Sequence, residues 1–324
     1  MSREIRIRSV SVGGNNPPRI LGVLNISPES FFTDSFTPCS QALRRAEEMR
    51  RAGADIIDLG ARSTALNAPP LSTSEEKERV VSALKDLEGC GIPISLDTCR
   101  AEVLTAALHY DIALVNDISG LTDENYAKAA ADSGLPAILM ASNTIPGDPL
   151  NFGETESAIS AVLSRAEKYG IEDIILDPGV GKWTAERSSD ADWELCRRFS
   201  ELKTYDLPLL AAVSRKSFIG ECLNKPPHER IFGSLAVFYH LMESGADLLR
   251  VHDVGPASDF VKVFTRLNGE DSTIGLHIEI LCQSRILFRS LDYPLRSSIS
   301  GMILYQSQQK PQKLLPAVFW TTIF

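Results

Sequence analysis

Short apolar runs recur eight times between residues 20 and 254, most of them closing on a polar residue, and longer amphipathic stretches separate them. The runs are "ILGVLNIS" (20–27), "DIIDLG" (55–60), "PISLDT" (93–98), "LVNDIS" (114–119), "PAILMAS" (136–142), "DIILDPG" (173–179), "PLLAAVS" (208–214) and "LLRVHDV" (248–254). Continuous apolar runs of this length suit strands buried on both faces, and parallel strands need crossover helices between them. "QALRRAEEMRRAG" and "TSEEKERVVSALKDL" supply the helical period. "AGAD" (52–55) and "SGAD" (244–247) place glycine just past a helix and before a strand, and "STSEE" (72–76) reads as an N-cap with an acidic first turn. Eight such units predict an α/β chain folded as a (β/α)8 barrel of the TIM type. A doubly wound sheet is the runner-up, but it seldom needs eight regular units.

The flanks differ from this pattern. "EIRIRSVSV" alternates and runs into "GGNNPP", which predicts a short hairpin over residues 1–19 plugging the N-terminal end of the barrel. Residues 20–270 form the barrel, and 271–324 form a C-terminal extension without clear period. From 272 to 324 there are five Lys/Arg against two Asp/Glu, net +3, which leaves −12 for the rest of a chain of net charge −9. That balance argues against nucleic acid or anionic membrane as a partner, so an anion would need a local cluster of cations. Six cysteines form no CxxC pair and no zinc-type set, which predicts reduced thiols and a cytoplasmic protein. "MSREIRIRSV" lacks the apolar segment of a signal peptide, and no run approaches the ~20 apolar residues that span a bilayer.

The polar residues lie at the C-terminal ends of the predicted strands, the rim on which barrels build their active sites. They are Asn25, Asp58, Asp97, Asn116 with Asp117, Asp177, Ser214 followed by Arg215 and Lys216, and Arg250 with His252 and Asp253; Met140 holds the fifth position. A single strand-end Asp is more often a turn former or cap, but a ring of such groups implies an axial pocket. The last two units carry the cations Arg215, Lys216, Arg250 and His252, where an Arg fork and an imidazolium suit phosphate oxygens. Asp97, Asn116 and Asp177 suit the edge of a flat, nitrogen-rich heterocycle, because a carboxylate accepts parallel N–H bonds and an amide both donates and accepts. Met140 would pack on the ring face.

"GVLNISPESFFTDS", "GADIIDLGARST", "ISLDT", "VNDISG", "LDPGVG", "SRKSFIG" and "ADLLRVHDV", in this order, resemble the dihydropteroate synthase family of pterin-binding barrels from about residue 19 to 267. The resemblance implies a barrel enzyme, usually a homodimer, that joins a dihydropterin methyl diphosphate to an arylamine and releases diphosphate with Mg2+. By matching motif, Asn25 contacts Mg2+ and the diphosphate, and Thr64 helps on the diphosphate side. Asp97, Asn116 and Asp177 hold the pterin edge, Met140 lines its pocket and Lys216 reaches the pterin carbonyl. Arg250 stacks on the pterin and binds diphosphate with His252. Phe31 or Phe32 and Asp34 lie in the first loop, which would close over the reacting centre, and Ser217 borders the amine site.

The loops departing from the bacterial pattern follow "ST", where the chain reads "ALNAPP", and the fifth strand, where it reads "LMASNTIPGDP"; the loop after "DPGVG" is short. These resemble the archaeal branch, part of which uses a ribosylated aminobenzene phosphate in making methanopterin. The amine is therefore p-aminobenzoate, for folate, or that phosphorylated analogue, with Lys182 and Arg62 as candidate cations for its phosphate. Two rivals remain: a pterin-dependent corrinoid methyltransferase, which has no use for the diphosphate set, and a pterin-binding protein without turnover.

Overall fold

The computed structural model describes residues 2–28, 36–63 and 68–269. The proposed C-terminal extension lies outside them. β1 (Ile5–Ile7) and β2 (Val10–Val12) pair antiparallel. Eight parallel strands follow: β3 (Arg19–Asn25), β4 (Ile56–Gly60), β5 (Ile94–Asp97), β6 (Leu114–Asp117), β7 (Ala137–Met140), β8 (Ile174–Asp177), β9 (Leu210–Ala211) and β10 (Leu248–Val251). Their spatial order is β8-β7-β6-β5-β4-β3-β10-β9. A parallel bridge between Leu176 and Leu209 joins the two ends, so the sheet closes into the (β/α)8 barrel.

The helices are α1 (Ala42–Arg51), α2 (Thr73–Asp86), α3 (Ala101–Ala107), α4 (Glu124–Ser133), α5 (Phe152–Tyr169), α6 (Ser189–Arg197), α7 (Ser217–Leu223), α8 (Ile231–Glu243) and α9 (Val254–Leu267). Ser72 caps α2 through a full capping box with Glu75, which satisfies two otherwise orphaned N–H groups. Gly53 ends α1 at φ +105°, and a Cβ there would meet Ser258 Oγ at 2.1 Å, so the return into β4 requires glycine.

Side chains alternate across each strand, and the alternation sorts the core into two parts. Ile20, Leu24, Ile57, Leu59, Leu96, Leu139, Leu176 and Leu249 pack outward against the helices. Leu21, Ile56, Leu114, Ile138, Ile175, Leu210 and Leu248 pack inside the barrel with Ile5, Ile7 and Val12 of the hairpin. The hairpin thus supplies the apolar floor. Two residues further along the same strands, the inward positions become Asp58, Asn116, Met140, Asp177 and Arg250. Register aligns Asn25 with Gly60, Gly60 with Asp97 and Asp97 with Asn116. One polar layer therefore sits directly above an apolar one.

The seventh barrel strand is shorter than the run 208–214 predicts. Arg215 takes φ +59°, its N–H donates to Ser234 Oγ at 2.9 Å, and the chain turns out of the sheet before the basic residues. No helix among the described residues is long and apolar enough to cross a membrane.

Candidate active site

The polar layer is organised around a residue to which the sequence pattern assigned no role. Asp58 is fully buried, and its carboxylate accepts from Ser95 Oγ at 2.7 Å, Asn116 Nδ2 at 3.2 Å and Arg250 Nε at 2.6 Å. A charged residue within the apolar run "DIIDLG" is the signal by which it could have been found, because burying a lone carboxylate is costly unless it is paired and hydrogen-bonded. Through Asp58, β4, β5, β6 and β10 are tied together across the barrel interior.

Arg250 is held rather than free. Its Nη2 donates to Asp97 Oδ2 at 2.5 Å while its Nε engages Asp58. Desolvation works to lower its pKa, but the Asp58 and Asp97 carboxylates outweigh it and raise the pKa above the usual arginine value, so it stays a cation. Asp97 is pushed up to about 7: desolvation dominates, Asp58 and Glu76 add to it, and Arg250 and Arg62 oppose it. Arg250 and Asp97, read from the sequence as separate ligand-binding groups, are thus also each other's partner. A carboxylate has about four acceptor sites, so Asp97 keeps capacity for a ligand's N–H beside Arg250. Asn116 Nδ2 donates to the Asp58 carboxylate, and its carbonyl oxygen is the acceptor it can turn to a heterocycle.

On the far side, β8 ends in Asp177, nearly buried, whose Oδ1 accepts from Gly179 N at 2.8 Å. Burial raises its pKa, and the charges of Lys216, Arg250 and Arg187 oppose that rise. Lys216 is pushed down to about 8, chiefly by desolvation, with Asp177 holding it up. Its stem passes over Gly181, where a Cβ would meet Nζ at 2.8 Å, and its ammonium lies 4.6 Å from the centre of the Trp183 ring. Gly181 is therefore required by the lysine's path. Met140 is wholly buried beside Gly179, where a Cβ would meet its Cγ at 3.3 Å. Ser217 opens α7 directly after Lys216.

The expected imidazolium at His252 is not what the structure supports. Desolvation first, then the charges of Arg250, Arg215 and Lys216, push its pKa down to about 3, so the ring is neutral at pH 7. Its Nδ1 lies 3.0 Å from Ser214 Oγ. Arg215 also leaves the proposed cation set. Its side chain is buried, its Nε and Nη2 donate to the two oxygens of Asp253 at 2.7 and 2.5 Å, and Nη1 donates to Pro227 O at 2.8 Å. It braces the loop that carries Lys216.

Asn25 ends β3, buried, with its side-chain oxygen accepting from Ser27 N at 3.0 Å. Among the described residues no cluster of three or more His, Cys, Asp or Glu stands ready for a metal. Phe31, Phe32, Asp34 and Thr64 lie outside the described residues.

The loops after β7 and β8 are latched together. Arg187, 2% exposed, pairs with buried Asp192 at 2.9 Å and donates to Pro149 O at 2.5 Å, while Asp192 also accepts from Gly181 N at 2.8 Å. Trp183 packs against Gly147, where a Cβ would meet its Cγ at 2.2 Å, and donates through its indole N–H to Gly179 O at 2.9 Å.

Comparison with known proteins agrees with this geometry. A family model described as pterin binding enzyme matches residues 21–252. The dihydropteroate synthase of Synechocystis sp. is 39% identical over 257 residues, 75% of this chain and 88% of that protein. The crystal structure of Yersinia pestis dihydropteroate synthase in a sulfonamide drug complex superposes with a TM-score of 0.76 at 31% identity, covering 82% of this chain and 100% of that one. The structure of Xanthomonas albilineans dihydropteroate synthase with 4-aminobenzoic acid gives a TM-score of 0.70 at 30% identity, covering 78% and 94%.

Proposed function

The chain belongs to the dihydropteroate synthase family of pterin-binding enzymes and is a transferase, and from that premise we propose that it joins a 6-hydroxymethyl-dihydropterin diphosphate to an arylamine. The observation that carries this reading is the single inward layer in which Asp97, Asn116 and Asp177 face Lys216, Arg250 and His252. Half of that layer accepts hydrogen bonds and half is cationic or donating. Asp97, Asn116 and Asp177 take the N–H edge of the pterin, Lys216 donates to its carbonyl, and Met140 packs beneath the ring. Arg250 and the neutral donor His252 face the leaving group.

In the reaction the C–O bond to diphosphate breaks with its electron pair, the amine nitrogen forms the new C–N bond, and the nitrogen's proton passes to solvent. The methylene becomes electron-poor as diphosphate leaves, and the Asp and Asn oxygens stabilise that charge while the cations stabilise the departing oxygens. An arylamine is neutral at pH 7, so no strong general base is needed to activate it. The Phe31, Phe32 and Asp34 loop and Thr64 complete the reading as the groups that exclude water and assist the diphosphate.

Mg2+ fits this donor set. A hard cation that keeps its waters and binds mainly to substrate phosphates needs only one or two protein oxygens, and the side-chain oxygen of Asn25, at the rim end of β3, would be the one to hold it. Bound there, Mg2+ supplies neutralising charge for the diphosphate.

The amine is p-aminobenzoate on the analogy of the Xanthomonas albilineans protein, with folate synthesis as the setting. A second reading, a ribosylated aminobenzene phosphate for methanopterin, is favoured by a cavity of about 480 Å³ on the loops after β4 to β8 whose lining includes Arg62 and Arg100. A homodimer completes the proposal, through α8 and α9, which carry the exposed apolar residues Phe232, Tyr239, Val263 and Leu267. Diphosphate release from the dihydropterin diphosphate, measured with each amine, tests the reaction. A corrinoid methyltransferase or a non-catalytic binder releases none with either.

A further inference from the structure

Asp192, in the first turn of α6, is a fully buried carboxylate that the reaction as described does not use. Its Oδ1 accepts from Arg187 Nε at 2.9 Å and from Gly181 N at 2.8 Å, while its Oδ2 is buried with no hydrogen-bond partner among the described residues. As a brace between the loops after β7 and β8, the pair needs Oδ1 alone. A buried acceptor left without a partner is costly, so the second oxygen and its charge need a further reason.

Gly181 supplies that reason. Its N–H faces Asp192, and its α-carbon faces Lys216: a Cβ there would meet Lys216 Nζ at 2.8 Å and Cδ at 2.9 Å. One glycine thus stands between the carboxylate and the lysine. Among the described residues the ammonium makes no hydrogen bond or ion pair, and it lies 4.6 Å from the centre of the Trp183 ring. Four charged side chains act on it. Asp177 at the end of β8 and Asp192 on α6 favour its proton, while Arg250 on β10 and Arg187 ahead of α6 oppose it. Asp192 acts on Lys216 more strongly than Arg187 does, so the ion pair does not cancel itself there. Asp177 turns its oxygens to the pterin when substrate binds. Asp192 is fully buried, so its charge is not drawn off by a ligand.

We infer that Asp192 is a positioning residue for Lys216: through Gly181 it sets the path of the lysine's stem, and its carboxylate is the counter-charge that remains to the ammonium once substrate occupies Asp177. The inference rests on the transferase reading above, in which Lys216 donates to the pterin carbonyl, and adds the group that keeps this donor charged and in place. An opposite charge nearby favours the ionised form of a buried amine, which desolvation alone would neutralise.

The test is the pH profile of kcat/KM for diphosphate release in wild type, Asp192→Asn and Arg187→Gln. Asparagine keeps an oxygen for Gly181 N and Arg187 Nε and removes the charge. With that negative charge gone, Lys216 gives up its proton at lower pH, so the alkaline limb moves down by about half a unit to one unit. Arg187→Gln keeps a donor for Asp192 and removes a positive charge, so the limb moves up. Mere loosening of the loops lowers kcat/KM at every pH and shifts neither limb in opposite directions. Asp192→Ala, which also removes the acceptor for Gly181 N, raises the KM for the pterin diphosphate about tenfold over Asp192→Asn; an equal KM in the two refutes the anchoring through Gly181. Competitive labelling of Lys216 with an amine-selective reagent, read by peptide mapping, follows the same titration without turnover, since Lys216 is partly accessible. Labelling midpoints that part in opposite directions in the two variants support the coupling; midpoints that stay together or move the same way overturn it. A wild-type protein that releases no diphosphate overturns the reaction instead and leaves the labelling result to decide the coupling. Should either variant not fold, the sign of the shift in the other decides alone, and no shift there refutes the role of Asp192.

Discussion

Replacing Asp58 by Asn changes one atom in the barrel interior and none of the groups proposed to touch substrate. Asp58 receives Ser95 Oγ on Oδ1, Arg250 Nε on Oδ2, and Asn116 Nδ2 between them. An amide can place its oxygen toward Arg250 or toward Ser95, not both. If the oxygen keeps Ser95, the new NH2 confronts Arg250 Nε across 2.6 Å, donor against donor. If it keeps Arg250, the NH2 turns to the serine hydroxyl, which can accept, but Asn116 then loses a charged acceptor. Either way one or two charge-assisted bonds of about 1.5–3 kcal/mol are lost, and Arg250 keeps only Asp97 as a counter-ion. The loss expected in kcat/KM is about 3 kcal/mol, roughly a hundredfold. A stability loss of about 3–5 kcal/mol accompanies it, as when one partner of a buried charge network is removed. Diphosphate release and denaturant unfolding of the same variant read the two effects. A folded Asp58→Asn protein with kcat/KM within threefold of wild type would show that Asp58 does not orient the site.

Asp177→Asn should lower kcat/KM by about 2–4 kcal/mol, because an acceptor pair facing the pterin becomes one acceptor and one donor; a loss under threefold rules out that role. Since His252 is neutral, His252→Gln, which keeps a neutral donor, should hold diphosphate affinity within about threefold while His252→Ala loses about tenfold; calorimetry that finds the two equally weak supports an imidazolium instead. The pH profile of kcat/KM should be a bell. Asp97, pushed up to about 7, loses its charge as pH falls through that value, and Lys216, pushed down to about 8, loses its cation as pH rises. Lys216→Arg should carry the alkaline limb upward, and an unchanged limb assigns it to another group. Arg187→Ala leaves buried Asp192 unpaired and should destabilise by about 3–5 kcal/mol in denaturant unfolding; a loss below 1 kcal/mol means the loops after β7 and β8 are not latched by this pair.

The barrel was legible because its signal is repetitive. Eight apolar runs, separated by helix caps and glycine stops such as Ser72 and Gly53, admit few other closures. The rim residues were legible because charge at the end of an apolar run is expensive unless it has a use. Pairing was not. Nothing in the chain order says that Arg250 donates to Asp58 and Asp97, 192 and 153 residues away. Arg215 and Lys216 are adjacent in sequence, yet one is spent on Asp253 and the other reaches the axial site, because Arg215 sits at φ +59° where the chain leaves the sheet. His252 was expected to be charged because its neighbours are basic, and that same neighbourhood is what keeps it neutral once it is buried.

The two halves of the proposed site differ in how firmly the fold holds them. The pterin half is made of inward strand positions above an apolar layer. There a one-residue slip would exchange the polar layer for leucines, so strand register and side-chain identity fix each other. The amine half is made of connections. Arg62, Arg100, Pro146 and Trp183 come from four different loops, and their positions depend on Glu76, Asp192 and the Arg187 latch rather than on the sheet. Loops tolerate substitution that strands do not. A barrel of this kind can therefore keep one heterocycle and one leaving group while changing the nucleophile. It follows that specificity for the amine should move with the loop cations, at little effect on pterin binding, whereas a change in the inward layer should reduce reaction with every amine alike.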